Sequence, residues 1–375
     1  MTHNSLTSSE HIKQLDGLRG ISALMIIVFH FSIQFASVHI FKSFYLFVDV
    51  FFILSGFLIE HCYGRKNREA LEPREFIVRR FARLWPLHVF MLSVFTIAFF
   101  FSLQGIVDNN SNTVLSFITT VFLVQNWGVI ELKGLPWNGV SWSVSCELFV
   151  YILWLAVNKF FSQYRVLVYG CLVIVSLLAL LSTSPYTVDG HIATHYILSH
   201  GVFRAATSFF LGSIICVLIT HNPNILGQLG NKLLIVTMLV MGLIHYKMSA
   251  SDYLLLDKYS LGYVLLLVVH PLLMISLVSS KNGGSRLLSS KLLRETGRLS
   301  YGIYLVHPIL MYGLTYYITS HSLAWMSWFL LLLTFLLIVC FVSELTYRLV
   351  ELPGKKCLIR WLNYPRRSVT RQTHY

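Results

Sequence analysis

The sequence predicts an all-α fold: a polytopic bundle of transmembrane helices with about ten spans and both termini cytoplasmic. Three observations carry that prediction. The first is composition. Of 375 residues, 55% are hydrophobic and 12% are charged, against roughly 25% charge in a soluble globular chain. Mean hydropathy is +0.67. A water-soluble enzyme, a disordered chain and a disulfide scaffold are thereby excluded. The second is the recurrence of apolar runs of about 20 residues, the length that crosses a ~30 Å hydrocarbon core with every backbone polar group bonded inside a helix.

The third observation is where the charges lie. The chain carries 29 Lys and Arg against 16 Asp and Glu, a net charge of +13, which invites a nucleic-acid reading. Threading the chain with its N-terminus inside, only Lys42, Lys133, Arg204, Lys247 and Lys258 fall in external segments. The remaining basic residues fall on the cytoplasmic side, which is the positive-inside pattern. Topology accounts for the charge, and no nucleic-acid partner is expected.

In order, the predicted spans are 17–36, 44–63, 85–104, 140–158, 163–182, 201–220, 231–247, 260–280, 300–319 and 323–347. Residues 1–14 form a cytoplasmic tail without the basic n-region of a secretory signal. The first apolar run is long and lacks a small-residue cleavage site, so it is expected to be retained. No repeat or Pro/Ser-rich linker divides residues 15–353, which read as one membrane domain. Residues 354–375 form a basic cytoplasmic tail. Between spans two and three, GRKNREALEPREFIVRRFARL is too charged to cross. Phe76, Ile77, Phe81 and Leu84 alternate there with Arg79, Arg80 and Arg83 at helical spacing, which predicts a basic amphipathic helix on the cytoplasmic interface. Residues 105–139 are polar and nearly uncharged, with a second apolar stretch near 114–124. They predict an external loop carrying a short re-entrant or interfacial helix. The 6 cysteines form no CxxC pair, so neither a disulfide framework nor a zinc site is suggested.

Ionisable residues inside spans are costly and are functional candidates by default. Arg19 and His30 lie eleven residues apart on the first span, within about 20° of one helix face and about 16 Å apart along it. One face thus carries a guanidinium near the cytoplasmic mouth and an imidazole near mid-membrane, although a lone His on an apolar helix is also a common packed residue. Asp16 precedes Arg19 by three residues and suits a local ion pair at the helix start. The string HIKQLD matches an H-x4-D pattern by chance only. Arg80 and Arg83 share one helix face. They read either as positive-inside anchors or as a clamp for phosphates, which paired guanidinia bind bidentately; a nucleotide thioester would suit such a clamp. Glu147, in WSVSCELFVY, must face the protein interior or a wet cavity, and its position places it toward the external side. Asp49 occupies a similar place in the second span, whereas Ser55 and Gly56 read as small residues for close packing. His307 precedes Pro308 and fits a kink as readily as a site. His191 and His195 have the i, i+4 spacing of metal ligands, but with only Asp189 nearby no metal site is assigned.

Taken in order, LDGLRGISALMIIVFHF, FVDVFFILSGFLI, FIVRRFARLWPLH, WSVSCELFVY, LSYGIYLVHP and YRLVELP resemble the motif series of the acyltransferase-3 family. The resemblance covers Leu15 to Pro353. That family comprises integral membrane O-acyltransferases, many of which acetylate bacterial surface polysaccharides. Its Arg-x10-His pattern falls on Arg19 and His30, its Arg-x-x-Arg pattern on Arg80 and Arg83, and its W-S-x-x-x-E carboxylate on Glu147. Cys146 stands where a further acidic residue is expected. Asp49, His307 and Glu351 match recurring motif positions. Many members append a soluble SGNH-type esterase-like domain; with about 20 residues after Pro353, that module is expected to be absent.

The resemblance implies a multi-pass enzyme of the bacterial inner membrane that holds no permanently bound cofactor. It implies transfer of an acetyl group from cytosolic acyl-CoA to a hydroxyl of a surface polysaccharide or its lipid-linked precursor. His30 would be the base or the acyl carrier, with Glu147 aiding it, while Arg19, Arg80 and Arg83 would hold the donor's phosphates. Succinyl transfer or a small acceptor stays open within the family, and so does oligomeric state. From another class, a secondary transporter would also use buried His and carboxylates for proton coupling, but no paired halves are visible.

Overall fold

The computed structural model describes residues 9–36, 39–64, 72–101, 112–129, 135–182, 192–222, 229–250, 261–279, 284–321 and 327–362. All regular structure among them is helical. In order these are α1 (Ser9–Phe31), α2 (Phe47–Tyr63), α3 (Pro73–Phe100), α4 (Val114–Val121), α5 (Trp142–Phe160), α6 (Arg165–Ser182), α7 (Ile192–His221), α8 (Leu229–Ala250), α9 (Leu261–Val264), α10 (His270–Ser279), α11 (Gly284–Leu288), α12 (Lys291–His321), α13 (Trp328–Thr346) and α14 (Leu352–Trp361). Short π-helical turns extend α1, join α9 to α10 and join α13 to α14, and a 3-10 turn leads into α2. The two joining turns each stand just ahead of a proline, Pro271 and Pro353. A proline supplies no N–H to the preceding turn, and a widened turn accommodates it.

Among the described residues, nine helical segments are long and apolar enough to cross a membrane. They correspond to the predicted spans except the ninth. That one, α12, has 31 residues and is long enough to cross, but Arg294, Glu295 and Arg298 and its tyrosines dilute its apolar character. The basic stretch expected as a separate helix is continuous with the third span: its residues from Pro73 onward are the first turns of α3. They are not a purely solvated or lipid-facing surface, because Phe76, Arg80, Ala82 and Leu84 are buried. The short helix expected near 114–124 is α4, started by a capping box between Thr113 and Ser116.

Burial follows the polarity expected in lipid rather than in water. On α6, Leu167, Ile174 and Leu178 are exposed while Tyr169, Ser176 and Leu180 are buried. On α13, Leu333, Leu337 and Phe341 likewise face outward. Contiguous exposed apolar faces of this kind are stable only against hydrocarbon or a partner. Inside, helices approach closely where glycine removes the Cβ. A Cβ on Gly56 would lie 1.8 Å from the Phe209 carbonyl oxygen, so α2 and α7 pack backbone against backbone. A Cβ on Gly297 would lie 2.0 Å from the Asp16 carbonyl oxygen, which does the same for α12 and α1. Small-residue contacts of this type drive helix association where no hydrophobic difference separates lipid from protein.

Two buried ion-pair networks join these helices. Arg204 on α7 grips Asp49 on α2 with both ends of its fork, Nε to Oδ1 at 3.3 Å and Nη2 to Oδ2 at 2.7 Å. The two side chains are 1% and 0% exposed. Glu60 on α2 accepts from Trp154 Nε1 and from the Tyr169 hydroxyl, each at 2.9 Å, and pairs with Arg165 at 3.2 Å. That carboxylate ties α2, α5 and α6 together.

Candidate functional site

Five helices enclose one cavity of about 90 Å³ in the bundle interior. From α1 comes Arg19, from α2 Ser55 and Cys62, from α3 Arg80 and Arg83, from α5 Ser143, Glu147 and Tyr151, and from α12 Ser300, Tyr301 and Tyr304. Its remaining lining is apolar, including Phe51, Phe52 and Leu84. Four of the residues singled out from sequence, Arg19, Arg80, Arg83 and Glu147, therefore converge on one space although they sit on three helices.

Each is held by its own element. On α1, Arg19 lies 3.8 Å from Asp16, the i, i+3 pair expected at the helix start. Arg80 is buried, and Tyr63 Oη accepts from its Nη2 at 2.7 Å. Its guanidinium lies 5.2 Å from the Tyr63 ring centre and 6.0 Å from that of Tyr151, within cation–π range. Its Nε has no hydrogen-bond partner among the described residues. Among the described residues, neither Arg80 nor Arg83 has a carboxylate within salt-bridge distance. Burying guanidinium without a counter-charge is expensive, so this end of the cavity is electrostatically suited to an anion.

Glu147 accepts from Ser55 Oγ at 2.7 Å and from the Tyr151 hydroxyl. Ser55, expected as a packing residue, is thus a lining residue; Gly56 beside it has the packing role. Glu147, expected toward the external side, shares the cavity with the arginines. The reason lies in the segment ahead of α5. Gln125, Asn126 and Asn138 are buried there, and Asn138 Nδ2 donates to the Leu305 carbonyl at 3.0 Å. The Ser145 carbonyl accepts from Trp127 Nε1 at 2.9 Å. Leu123 and Trp137 bound this segment with φ of 59° and 56°, a left-handed conformation that bulky residues adopt only where surrounding contacts enforce it. The chain enters the protein before α5 begins, so the first turns of α5 start inside the bundle.

The remaining sequence candidates lie outside the cavity. His30 packs against His307 on α12, with ring centres 5.1 Å apart. The His307 ring lies 6.0 Å from that of Tyr304, so a lining tyrosine connects the two imidazoles to the cavity. His30 thus packs on α12, and Arg19 lines the cavity that α12 also lines, in keeping with their spacing on one helix face. Asp49 is consumed by Arg204, and that arginine was counted from sequence only as a topological charge. Glu351 is buried in the π-helical turn before α14, and its Oε2 has no hydrogen-bond partner among the described residues. Arg83 and Lys355 are the basic residues that act on it most strongly. His191 and the side chain of His195 lie outside the described residues.

The tyrosines are what sequence reasoning missed. Tyr301 donates to the Leu84 carbonyl at 2.5 Å, and Tyr304 donates to the Val140 carbonyl and accepts from Ser143 Oγ, each at 2.9 Å. A signal was available for two of them. Tyr151 stands one turn after Glu147, and Tyr304 stands three residues before His307, so each shares a face with a residue already singled out.

A family model described as an acyltransferase domain matches residues 12–345. The O-acetyltransferase OatA of Staphylococcus aureus (strain NCTC 8325 / PS 47) is 25% identical over 372 residues, covering 93% of this chain and 58% of the relative. The peptidoglycan O-acetyltransferase OatA of Listeria monocytogenes serovar 1/2a (strain ATCC BAA-679 / EGD-e) is 27% identical over 378 residues, covering 95% and 58%. The chain thus spans a little under three-fifths of the length of these relatives. No solved structure matches it. With the arginine, histidine and glutamate motifs found in sequence order and the family match running over nearly the whole chain, the protein belongs to the acyltransferase-3 family of integral membrane acyltransferases.

Proposed function

We propose that this protein is an O-acetyltransferase of the bacterial inner membrane that takes acetyl groups from cytosolic acetyl-CoA and delivers them to a hydroxyl of a surface polysaccharide or its lipid-linked precursor. The observation that carries the reading is the cavity in which Arg19, Arg80 and Arg83 stand with Glu147, two of those arginines lacking any carboxylate partner among the described residues. Two curated relatives named as O-acetyltransferases support the acyl group, and the one named for peptidoglycan supports a glycan acceptor.

In this reading the arginines hold the donor's phosphates, bidentately where the guanidinium fork allows. A thioester already has a good leaving group, so the protein's tasks are to orient the acyl carbon and to remove a proton from the acceptor. His30 takes the hydroxyl proton as that oxygen attacks the thioester carbonyl carbon. The C–S bond breaks, and the proton passes to the departing thiolate, leaving a sugar ester and free CoA. Glu147, oriented by Ser55 and Tyr151, holds the acceptor. A covalent acetyl-imidazole on His30 satisfies the same balance in two steps.

The test uses membranes containing the wild-type protein or His30→Ala, supplied with labelled acetyl-CoA, with mass analysis of the surface glycan. Wild type should consume acetyl-CoA and add acetyl mass to the glycan. His30→Ala should do neither at normal expression. Activity within about tenfold of wild type, less than a general base contributes, would rule out His30 as base. Solute movement without acetyl-CoA consumption would identify a transporter instead.

A further inference from the structure

We propose that His307 is the positioning residue for His30: a second imidazole whose Nε2 accepts the His30 N–H, fixing which His30 nitrogen is basic. The proposal rests on the reading of His30 as the base. Its foundation is the geometry of α12. Pro308 has no N–H for the Tyr304 carbonyl one turn back, so that carbonyl is left to another donor. His307 Nδ1 lies 3.2 Å from the adjacent Ile303 carbonyl. A ring nitrogen that bonds a carbonyl oxygen carries the proton. Nε2 is then a lone pair, and among the described residues it has no hydrogen-bond partner, while the whole residue is 1% exposed.

The imidazole packed against the His307 ring is His30. Two imidazoles joined by one N–H···N bond have ring centres about 5 Å apart, from a bond of about 2.9 Å and a ring radius of about 1.1 Å at either end. The observed separation is 5.1 Å with the planes at 40°. Rotation of the His30 ring about its terminal torsion, which is soft for histidine, closes the bond without backbone movement. The close approach of α1 and α12 at Gly297 holds the two helices at the required spacing. His30 then presents its other nitrogen unprotonated, and His307 shares the positive charge that develops when His30 takes the acceptor's proton. A neutral imidazole does here what a buried carboxylate does for the histidine of a Ser-His-Asp triad, holding the tautomer and orientation.

Three variants test this: His307→Phe, His307→Gln and His30→Ala, in the full-length protein in membranes, with acetyl-CoA consumption in the presence of glycan acceptor as the readout. Melting in detergent and acetyl-CoA binding serve as folding controls. His307→Gln places an amide oxygen where Nε2 stood, so it should keep kcat within about tenfold of wild type. His307→Phe keeps the ring volume without the acceptor and should lose about a hundredfold or more in kcat, with KM for acetyl-CoA and melting unchanged. The proposal is overturned if both His307 variants match wild type, if both fall equally, which marks packing or the kink, or if the loss appears in KM. Each of those results leaves the assignment of His30 standing so long as His30→Ala is inactive. An active His30→Ala would instead remove the reading on which the proposal rests.

Discussion

Arg80 and Arg83 have two readings at the residue scale, and lysine separates them. Arg80→Lys and Arg83→Lys keep the charge, so insertion should be normal on positive-inside grounds. Lysine cannot reproduce the planar fork. If the pair grips donor phosphates, each change should weaken acetyl-CoA binding by about 1.5–3 kcal/mol, or about tenfold to a hundredfold in Kd. Calorimetry on purified wild type and variants checks this, and unchanged affinity would return both to membrane anchoring. Asp49 calls for the opposite expectation. Its carboxylate is saturated by Arg204 and is 0% exposed, so Asp49→Ala should destabilise by about 3–5 kcal/mol, since it strands a buried guanidinium. Replacing both partners together, Asp49→Leu with Arg204→Met, should recover most of that loss. Thermal unfolding in detergent reads both; a harmless Asp49→Ala would show that the pair is not structural. Asp49 and Glu147 look alike in sequence, as lone carboxylates in apolar runs. Their roles part only because a basic partner from α7 meets one of them.

At the scale of elements, the α2–α7 contact depends on a missing side chain. Gly56→Ala should destabilise by about 1–3 kcal/mol, because its Cβ would meet the Phe209 carbonyl 1.8 Å away and the helices would have to separate. Gly170 on α6 has nothing within 4 Å of a Cβ, and Gly170→Ala should be neutral or stabilising by about 0.5–1 kcal/mol. Unfolding midpoints of the two variants in one detergent decide the matter, and equal midpoints would contradict the backbone contact. Hydrophobic run length made the spans legible. What it could not show is where a helix begins within the bundle. The charges of residues 73–84 separate them from the third span on a hydropathy scale, yet Phe76 and Leu84 bury one face and the backbone continues unbroken into α3. Charge marks the edge of an apolar run and does not mark the end of a helix.

For the molecule as a whole, the threading with both termini inside makes a direct prediction. Reporter fusions at Asn110 and His191 should read external, and fusions at Asn67 and after Pro365 should read cytoplasmic. An internal reading at Asn110 would reverse the orientation of α3 and α5 and with it the side from which the donor enters. That orientation matters to the proposed chemistry, which takes its donor from the cytosol and delivers the acetyl group to a surface glycan.

By itself the sequence determined the class, the approximate spans and the family, and it singled out four charged residues that line one cavity. These follow from local properties: run length, the sidedness of Lys and Arg, and motif blocks that stay in order along the chain. The tertiary structure alone decided that Arg19, Arg80, Arg83 and Glu147 share a cavity, that Asp49 belongs to Arg204, that Ser55 and the tyrosines line the site, and that His30 stands against His307. Hydrophobicity sets which segments enter the bilayer but is indifferent to which helix faces which. That choice rests on a few close contacts, at Gly56 and Gly297 among them, and on the pairing of buried charges, both of which join residues far apart in the chain.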